Sequence, residues 1–488
     1  MNQELGDFFK AEHTVILSDM HMTEAEPIHP RNPLWKKYKR KEFFVDESFK
    51  FFLETIQKEM KGSIELILNG DIFDYDSVMT LPEKSDFKVS WLEKKRGLFS
   101  EVEKSRFKTQ VILSDHDEWV KALREFILNG HHVVMIIGNH DIELHWPEVQ
   151  QDILKALELS DEFKCNFRFC EWFYISNGDT LIEHGNQYDA YTVCQNPINP
   201  LIKVINHEAS VRLPFGNLAD RYMINGMGFF NPHVDSSFIK SNLKEYISFF
   251  VKYIMKTEPL LAITWFWGAM VTLLFSVREG LLPALVDPMS IVDRVEMIAK
   301  KSNSTTQIVR ALNAVHVHPA IFNPFKILRE LWLDRALFFV LIVWGCFQFY
   351  SILNIFTRVS FLWFSIPLIL VMPFFIMYAQ SVESEIHKLS KKIAGKIGQS
   401  ATLAGVERVV LGHTHKERFI KVDEVELINS GTWSAAYEDV ECTRPLGRKC
   451  FVWIFPNKEA KGGRQACLNE WTDDYEIKLL SDASNLLP

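Results

Sequence analysis

Cysteine is scarce in this sequence: seven residues among 488, with no CxxC pair. The closest two, Cys165 and Cys170, have no matching pair at the spacing of a zinc finger, which argues against a cysteine-based zinc site. We therefore expect reduced, mostly buried thiols in a cytosolic compartment.

An excess of positive charge is also lacking, since 54 Lys and Arg stand against 62 Asp and Glu, giving a formal charge of −8. A broad basic surface for nucleic acid is therefore not expected, and we predict no nucleic-acid partner. The apolar content of 47% excludes a disordered chain. Met1–Lys10 contains no basic region followed by an apolar stretch, so we do not expect a cleaved signal peptide.

Two blocks of the sequence alternate short apolar runs with amphipathic stretches, which is typical of an α/β sheet. In the first block, the predicted strands are His13–Ser18, Ser63–Asn69, His132–Gly138, Arg168–Ile175 and Thr180–Glu183, and the predicted helices are Asp46–Met60 and Asp117–Asn129. In the last block, a basic amphipathic helix over Glu385–Gln399 precedes strands over Arg408–Leu411, Phe419–Val422, Val425–Ile428 and Cys450–Phe455. We therefore predict one α/β domain in two parts, residues 1–190 and 385–488, around a helical insertion over residues 191–384.

The insertion contains three uncharged runs, of 18 residues over 260–277, 22 over 336–357 and 24 over 359–382. Runs of about 18 or more are transmembrane candidates, although buried helices of a large soluble core pass the same test. The first run contains Thr264, Gly268 and Thr272, and its status stays open. We favour one membrane hairpin of the last two runs, joined at Arg358, with an interfacial helix at the first; four crossings and a monotopic insertion remain alternatives.

The basic residues around these runs predict the orientation of the protein in the cell membrane. Only Arg358 marks the far side of the hairpin. The near side carries Lys252, Lys256, Lys388, Lys391, Lys392 and Lys396. By the positive-inside rule, the α/β domain faces the cytoplasm.

Short polar motifs follow five of the predicted strands, where a parallel sheet gathers its ligand-binding residues. They are Asp19-Met20-His21, Gly70-Asp71 with Asp74, Gly138-Asn139-His140-Asp141, Glu183-His184-Gly185-Asn186, and Gly412-His413-Thr414-His415. Carboxylate, imidazole and amide oxygen together suit Mn²⁺, Fe²⁺ or Zn²⁺. Seven candidate ligands are too many for one tetrahedral ion, but they suit two ions about 3.5–4 Å apart.

These motifs, in this order, resemble those of the calcineurin-like metallophosphoesterase superfamily: DxH, GDxxD, GNH[DE], an isolated His, and GHxH. The resemblance covers about residues 13–190 and 385–456, and it implies a four-layer α-β-β-α sandwich, here with a large membrane-associated insertion. It further implies two divalent ions, with Mn²⁺ favoured and Fe²⁺ or Zn²⁺ as alternatives. The first ion would be held by Asp19, His21, Asp71 and His415, and the second by the shared Asp71 with Asn139, His184 and His413. His140 would act as the leaving-group acid or transition-state donor, oriented by Asp74.

The order of the motifs and the position of the insertion are most similar to those of one branch of the superfamily, the UDP-2,3-diacylglucosamine pyrophosphohydrolases. That branch places a helical, lipid-gripping cap between the isolated His and GHxH, where this insertion falls, and the SDMHM, NGDIFD and EHGNQYD stretches look similar. Two departures are that the branch usually has Arg where this chain has His140, and that its cap is much smaller and does not span a membrane.

We therefore expect a dinuclear metallophosphoesterase that hydrolyses a phosphodiester or pyrophosphate bond by a metal-bridging hydroxide, acting on a lipid-linked or amphiphilic substrate. Two alternatives remain. One is an anchored phosphatase or phosphodiesterase of soluble substrates such as nucleotides or phosphoproteins. The other is a non-catalytic membrane scaffold, against which the complete ligand set argues.

Overall fold

The computed structural model describes residues 11–84, 86–203, 208–228, 231, 251, 261–285, 288–381, 389–460 and 463–482. Three of the lysines on which the predicted orientation depends, Lys252, Lys256 and Lys388, lie outside these residues.

Short strands and helices alternate along the described part of the chain. The strands are β1 (His13–Leu17), β2 (Ile64–Asn69), β3 (His132–Ile136), β4 (Phe167–Cys170), β5 (Phe173–Ser176), β6 (Thr180–Glu183), β7 (Leu201–Lys203), β8 (Ala209–Val211), β9 (Arg408–Leu411), β10 (Arg418–Val422), β11 (Val425–Asn429), β12 (Cys450–Pro456), β13 (Arg464–Trp471) and β14 (Ile477–Asp482). The helices are α1 (Asp46–Glu59), α2 (Trp91–Arg96), α3 (Val102–Asp115), α4 (Asp117–Leu128), α5 (Pro147–Ala156), α6 (Asp161–Lys164), α7 (Phe215–Tyr222), α8 (Leu261–Leu281), α9 (Pro288–Lys301), α10 (Thr306–Val315), α11 (Pro324–Glu330), α12 (Leu333–Phe356), α13 (Ser365–Ser381) and α14 (Leu389–Ala404).

Two mixed sheets form the centre of the domain. The first has the strand order β14-β13-β12-β1-β2-β3-β4, and the second has the order β10-β11-β9-β6-β5. Strands β1 to β4 run parallel, and β12 pairs with β1 antiparallel. In the second sheet, β9 lies parallel to both β6 and β11. Both parts of the predicted domain therefore contribute strands to both sheets.

The two sheets pack face to face, with helices on their outer faces. Ile16 and Val134 of the first sheet share a buried cluster with Ile182 and Val410 of the second. Helices α1, α3, α4 and α5 cover the outer face of the first sheet. The outer face of the second is covered by α14 and also by α9 and α10, which come from residues 288–315 of the insertion. This layering fits the expected α/β sandwich.

The prediction of one strand over Arg168–Ile175 is wrong, because the chain changes sheets within it. Strand β4 pairs with β3 in the first sheet, whereas β5 pairs with β6 in the second. A single strand cannot serve both partners, so the chain bends at Glu171 and Trp172. Strands β13 and β14, which extend the first sheet beyond β12, were not predicted at all.

Two helices in the insertion are long and apolar enough to cross a membrane, judged by length and composition alone. They are Leu333–Phe356, with 6% of its apolar window buried, and Phe361–Ser381, with none buried. They coincide with the predicted runs 336–357 and 359–382, of which Val382 lies outside the described residues. Residues 261–277 of the first run lie in α8, which packs along α7, and Leu260 lies outside the described residues.

Candidate metal centre

The predicted ligands lie in loops that follow the carboxyl ends of five strands. Asp19 and His21 follow β1, and Asp71 follows β2. Asn139 and His140 follow β3, whereas His184 follows β6 and the pair His413 and His415 follows β9. Because β1, β2, β3 are parallel neighbours and β6 and β9 are parallel in the facing sheet, the five loops meet at one edge of the sandwich.

Asp19, His21 and His415 form the first group, with one ligand atom from each within 4.8 Å of the others. The Asp19 Oδ1 lies 3.2 Å from the His415 Nε2 and 3.8 Å from the His21 Nε2. The two histidine Nε2 atoms are 3.0 Å apart. Two imidazole nitrogens directed at one carboxylate oxygen offer the donor set that a divalent cation prefers.

Asp71, His184 and His413 form the second group, again within 4.8 Å. The His184 Nδ1 lies 2.9 Å from the carbonyl oxygen of Asn69, which can only accept, so Nδ1 donates. In a neutral ring the lone pair is then on Nε2, which faces the Asp71 Oδ2 at 3.0 Å. Burial lowers the pKa of His184, but the carboxylates of Asp71 and Asp19 outweigh burial and raise this pKa to about 9. The surroundings of the His184 Nε2 and the Asp71 Oδ2 therefore favour a positive charge, as a bound cation would supply.

The remaining predicted ligand of this group, His413, is held at both its backbone and its ring. Its backbone N–H donates to the Asp19 Oδ2 over 3.0 Å. Its Nε2 lies 3.1 Å from the Thr192 Oγ1 and 3.3 Å from the Asp189 Oδ2. Since a carboxylate only accepts, Asp189 favours a proton on Nε2 and leaves the lone pair on Nδ1, as carboxylates commonly do beside metal-ligating histidines.

Asp71 connects the two groups, because it also lies within 4.8 Å of His21 and His140. Asn139 contributes a buried side-chain oxygen that has no hydrogen-bond partner among the described residues. A buried amide oxygen without a partner is unfavourable unless a ligand satisfies it. The donor set therefore fits divalent metal ions. The number of ions and the assignment of each residue to one of them stay predictions.

The His140 ring lies between two carboxylates. Its Nδ1 is 3.5 Å from the Asp74 Oδ1, and its Nε2 is 3.7 Å from the Asp220 Oδ2. Asp74 in turn accepts hydrogen bonds from the backbone and hydroxyl of Ser77. Burial lowers the pKa of His140, but the carboxylates of Asp71, Asp74 and Asp220 outweigh burial and raise this pKa well above its usual value. Without metal, these carboxylates therefore favour the protonated form of the ring.

Sequence reasoning missed the residues that α7 contributes. Asn217 donates to the carbonyl oxygen of Asn139 over 2.7 Å and also bonds to Asp76. Arg221, which is buried, donates to the Asp76 Oδ1 over 2.6 Å. The available signal was that Asn217, Asp220 and Arg221 follow the i, i+3, i+4 spacing of one helix face. No motif marks them.

The backbone at the candidate ligands is unusual. Five of them have positive φ between 50° and 67°, a region that residues other than glycine rarely adopt: Asp19, His21, Asp71, His413 and His415. Glycine is required beside them, because a Cβ at Gly138 would lie 2.3 Å from the Asp71 Oδ1, and one at Gly412 would lie 2.6 Å from the Asp19 Oδ2. Such backbone geometry is characteristic of functional sites.

Residues 13–223 match the family model of the calcineurin-like phosphoesterases. The match includes the first four motifs and α7. A search of curated proteins finds no match. Among solved structures, that of Vacuolar Protein Sorting 29 from Cryptosporidium parvum has 22% sequence identity and a TM-score of 0.14, over 18% of this chain and 42% of that one. This chain thus spans less than half of that protein.

The family match supports the superfamily that the motifs predicted, but it does not extend to the pyrophosphohydrolase branch. Members of the matched family use divalent metal ions, which agrees with the groups of possible ligands at this edge of the sandwich. Residues 13–223 are thus similar to a family of metal-dependent phosphoesterases.

Proposed function

We propose that the chain is a dinuclear phosphoesterase that hydrolyses a phosphodiester or pyrophosphate bond in a lipid-linked or amphiphilic substrate at the cell membrane. One observation carries the catalytic part of this proposal. The groups Asp19–His21–His415 and Asp71–His184–His413 lie side by side, with Asp71 also near His21 and with His140 adjacent.

The residues around the candidate centre have different roles in the proposed reaction. When bound, two divalent ions, Mn²⁺ by preference, lower the pKa of water toward neutrality and neutralise phosphate oxygens. His140 is positioned to give a proton to the leaving oxygen during in-line attack on phosphorus. Asp74 lies on the Nδ1 side of His140, and we assign the other ring nitrogen, Nε2, which faces Asp220, to the leaving oxygen of the substrate. Asn69 and Asp189 fix the proton positions of the two ligand histidines in the second group.

The amphiphilic substrate and the membrane are supported by the helices of the insertion. Helices α12 and α13 form an apolar hairpin: Phe338 contacts Phe375 and Tyr378, and no residue of α13 is buried. Arg358 is the only charged residue between Ala336 and Val382. A hairpin of this kind inserts into a bilayer from the side of the catalytic domain, which the positive-inside rule assigns to the cytoplasm. The position of the insertion, like that of the lipid-gripping cap in the pyrophosphohydrolase branch, also favours a lipid-linked substrate.

The test is turnover by the full chain in detergent, stripped of metal and reloaded with Mn²⁺, Zn²⁺ or Fe²⁺. Three substrates are compared: a lipid pyrophosphate, a soluble nucleotide diester and a phosphopeptide. We expect metal-dependent turnover, with kcat/KM for the lipid at least about tenfold higher because apolar contacts discriminate by this order. Equal kcat/KM values for lipid and nucleotide would instead indicate an anchored enzyme for soluble substrates.

Absence of turnover by the metal-loaded chain would indicate a non-catalytic scaffold. Asp117→Asn serves as the matched control, because Asp117 is an exposed carboxylate on α4 outside the candidate centre. This variant should retain the activity of the unmodified protein.

A further inference from the structure

Helix α8 presents its large apolar side chains outward. Ile263, Phe266, Leu274 and Leu281 are 65%, 42%, 62% and 80% exposed. At about 100° per residue, positions spaced by three, eight and seven fall on one face of a helix. This outward face, defined by the four residues named, runs the whole length of α8.

The opposite face of α8 consists of small residues fixed against α7. A Cβ at Gly268 would lie 2.8 Å from the carbonyl oxygen of Tyr222, and the Thr272 Oγ1 donates to the Leu218 carbonyl oxygen over 3.4 Å. Ala269 and Ser276 are also buried. Because one side of α8 is packed against the protein, lipid cannot surround the helix as it surrounds a lone spanning helix.

Aromatic and cationic side chains flank the N-terminal half of the outward face. Trp91 of α2 meets Trp267 of α8 edge to face, with ring centroids 6.0 Å apart. The Arg96 guanidinium lies 4.8 Å from the centroid of Trp267. Lys94 and Lys95, on the same short helix, are exposed. Tryptophan mixed with lysine and arginine is typical of protein surfaces that contact anionic headgroups.

The other end of the outward face continues into the hairpin. Gly280 approaches the carbonyl oxygen of Ile321, so the end of α8 meets the segment before α11. Phe322, Phe325 and Trp332, which follow along this segment, are 50%, 79% and 45% exposed. The exposed apolar surface thus extends from α8 to the first turn of α12.

We propose that α8 lies in the plane of the membrane surface, with its outward face in the acyl boundary of an anionic cytoplasmic leaflet. This inference rests on the proposed membrane insertion of the hairpin. Two observations favour a lipid surface over a second protein as the occupant: the outward face is continuous with α12, and it is flanked by the cationic residues Lys94, Lys95 and Arg96, here called the cationic rim. Since α7 packs on α8 and carries Asp220 to His140, the candidate centre lies about two helix layers, roughly 20 Å, from the lipid. An amphiphile whose headgroup spans this distance could reach the candidate centre while its acyl chains stay in the leaflet.

The test measures the depth of fluorescent labels on single cysteines in the full chain, reconstituted into vesicles with nitroxide lipids. The background carries Cys165→Ser, because Cys165 is the one exposed cysteine among the described residues. Labels at Phe266→Cys and Leu274→Cys report α8, and a label at Ile352→Cys reports the hairpin. Leu479→Cys, on edge strand β14 and 50% exposed, is the aqueous control.

We expect strong quenching of both α8 labels by shallow nitroxides, clear quenching of the Ile352 label, and none at Leu479. If the Ile352 label is quenched and both α8 labels are not, the α8 proposal fails while the hairpin stands. Shallow quenching at one α8 label and deep quenching at the other would indicate a spanning helix and also overturn the proposal. An unquenched Ile352 label beside quenched α8 labels would refute the hairpin alone.

A separate experiment tests whether the cationic rim binds anionic lipid. The double variant Lys94→Gln/Lys95→Gln should lose the increase in shallow quenching at Phe266→Cys that vesicles with anionic lipid give over neutral vesicles. The matched control is Lys50→Gln/Lys58→Gln, two exposed lysines on α1. Equal quenching in both double variants would overturn the assignment of anionic lipid.

Discussion

The backbone N–H of His140 donates a hydrogen bond to the Asp71 Oδ1 over 2.7 Å. The other oxygen of this carboxylate lies 3.0 Å from the His184 Nε2. One side chain thus fixes the loop after β3 against the loops after β2 and β6. His140, the proposed proton donor, and Asp71, the proposed bridging ligand, therefore cannot move independently. Substitutions at the two positions can be told apart by measuring metal content and turnover separately.

Asp71→Ala should remove both of the proposed ions, because the variant lacks the ligand that we propose the two half-sites share. Elemental analysis of the purified protein after dialysis against metal-free buffer checks this expectation. Asp117→Asn, on the surface of α4, should keep the metal content of the unmodified chain. Two tightly bound ions in Asp71→Ala would contradict the assignment of Asp71 as the bridge.

His140→Gln should keep both ions and lower kcat on the order of 10²–10⁴, the usual contribution of a positioned acid. The loss should shrink for substrates with good leaving groups, which need less protonation. Turnover of a series of aryl phosphodiesters of graded leaving-group pKa measures this dependence. A loss of the same size across the series would exclude His140 as the acid.

Asn217→Ala should weaken metal binding by roughly 10–100-fold, because Asn217 positions the Asn139 loop through the carbonyl oxygen of Asn139. The variant should also lose about 1–3 kcal/mol of unfolding free energy, since the buried Asp76 loses a donor. Metal titration and chemical unfolding measure the two effects. Asn129→Ala is the control, because its hydrogen bond to Gln57 is exposed; equal losses in both variants would refute the role of Asn217.

Acid should destabilise the folded chain through His316. Both nitrogens of His316 are buried without hydrogen-bond partners among the described residues, and burial lowers the pKa of His316 to about 3. The unfolded chain, with a pKa near 6.5, binds the proton first as the pH falls, so stability is lost below about pH 6.5. At pH 5 this loss is about 2 kcal/mol.

His316→Phe should therefore show a smaller drop in unfolding free energy between pH 7.5 and pH 5 than the unmodified chain. His318→Phe, at an exposed position two residues later, is the matched control. An unchanged pH dependence in His316→Phe would show that other groups cause the acid sensitivity.

A cysteine at Arg358 should react with an impermeant thiol reagent added outside intact cells, because the proposed hairpin places this tip across the bilayer. In the Cys165→Ser background, a cysteine at exposed Lys50 on α1 should react only after permeabilisation. Reaction of both cysteines only after permeabilisation would favour a monotopic insertion. Recovery of the chain in the soluble fraction without detergent would refute the membrane proposal.

The sequence predicted the elements whose residues carry a local signal. The apolar, β-branched composition of a run such as His132–Ile136 is enough to predict a buried strand. The DxH and GHxH spacings can likewise be recognised in the sequence alone. Strand β13 was missed because Arg464–Trp471 mixes polar and apolar residues, and it is a strand through pairing with β12. The change of sheet at Glu171 depends on which neighbours β4 and β5 find. No local pattern encodes either partner.

Asp220 was missed for a related reason. It lies on an amphipathic helix of the insertion, and only the packing of α7 against the loop after β3 brings it to His140. Residues that act through a distant contact leave no spacing for sequence reasoning to detect.

The left-handed backbone at the candidate ligands has a thermodynamic consequence. Each such residue destabilises the folded chain by about 1–2 kcal/mol relative to glycine. With five of them at one edge, the metal-free protein folds against several kcal/mol of local strain. Ions that bind the folded form alone would offset this strain, so metal supply and the lifetime of the folded protein become a single linked equilibrium. A cell that withholds the metal would then lose the protein itself to proteolysis, and its activity with it.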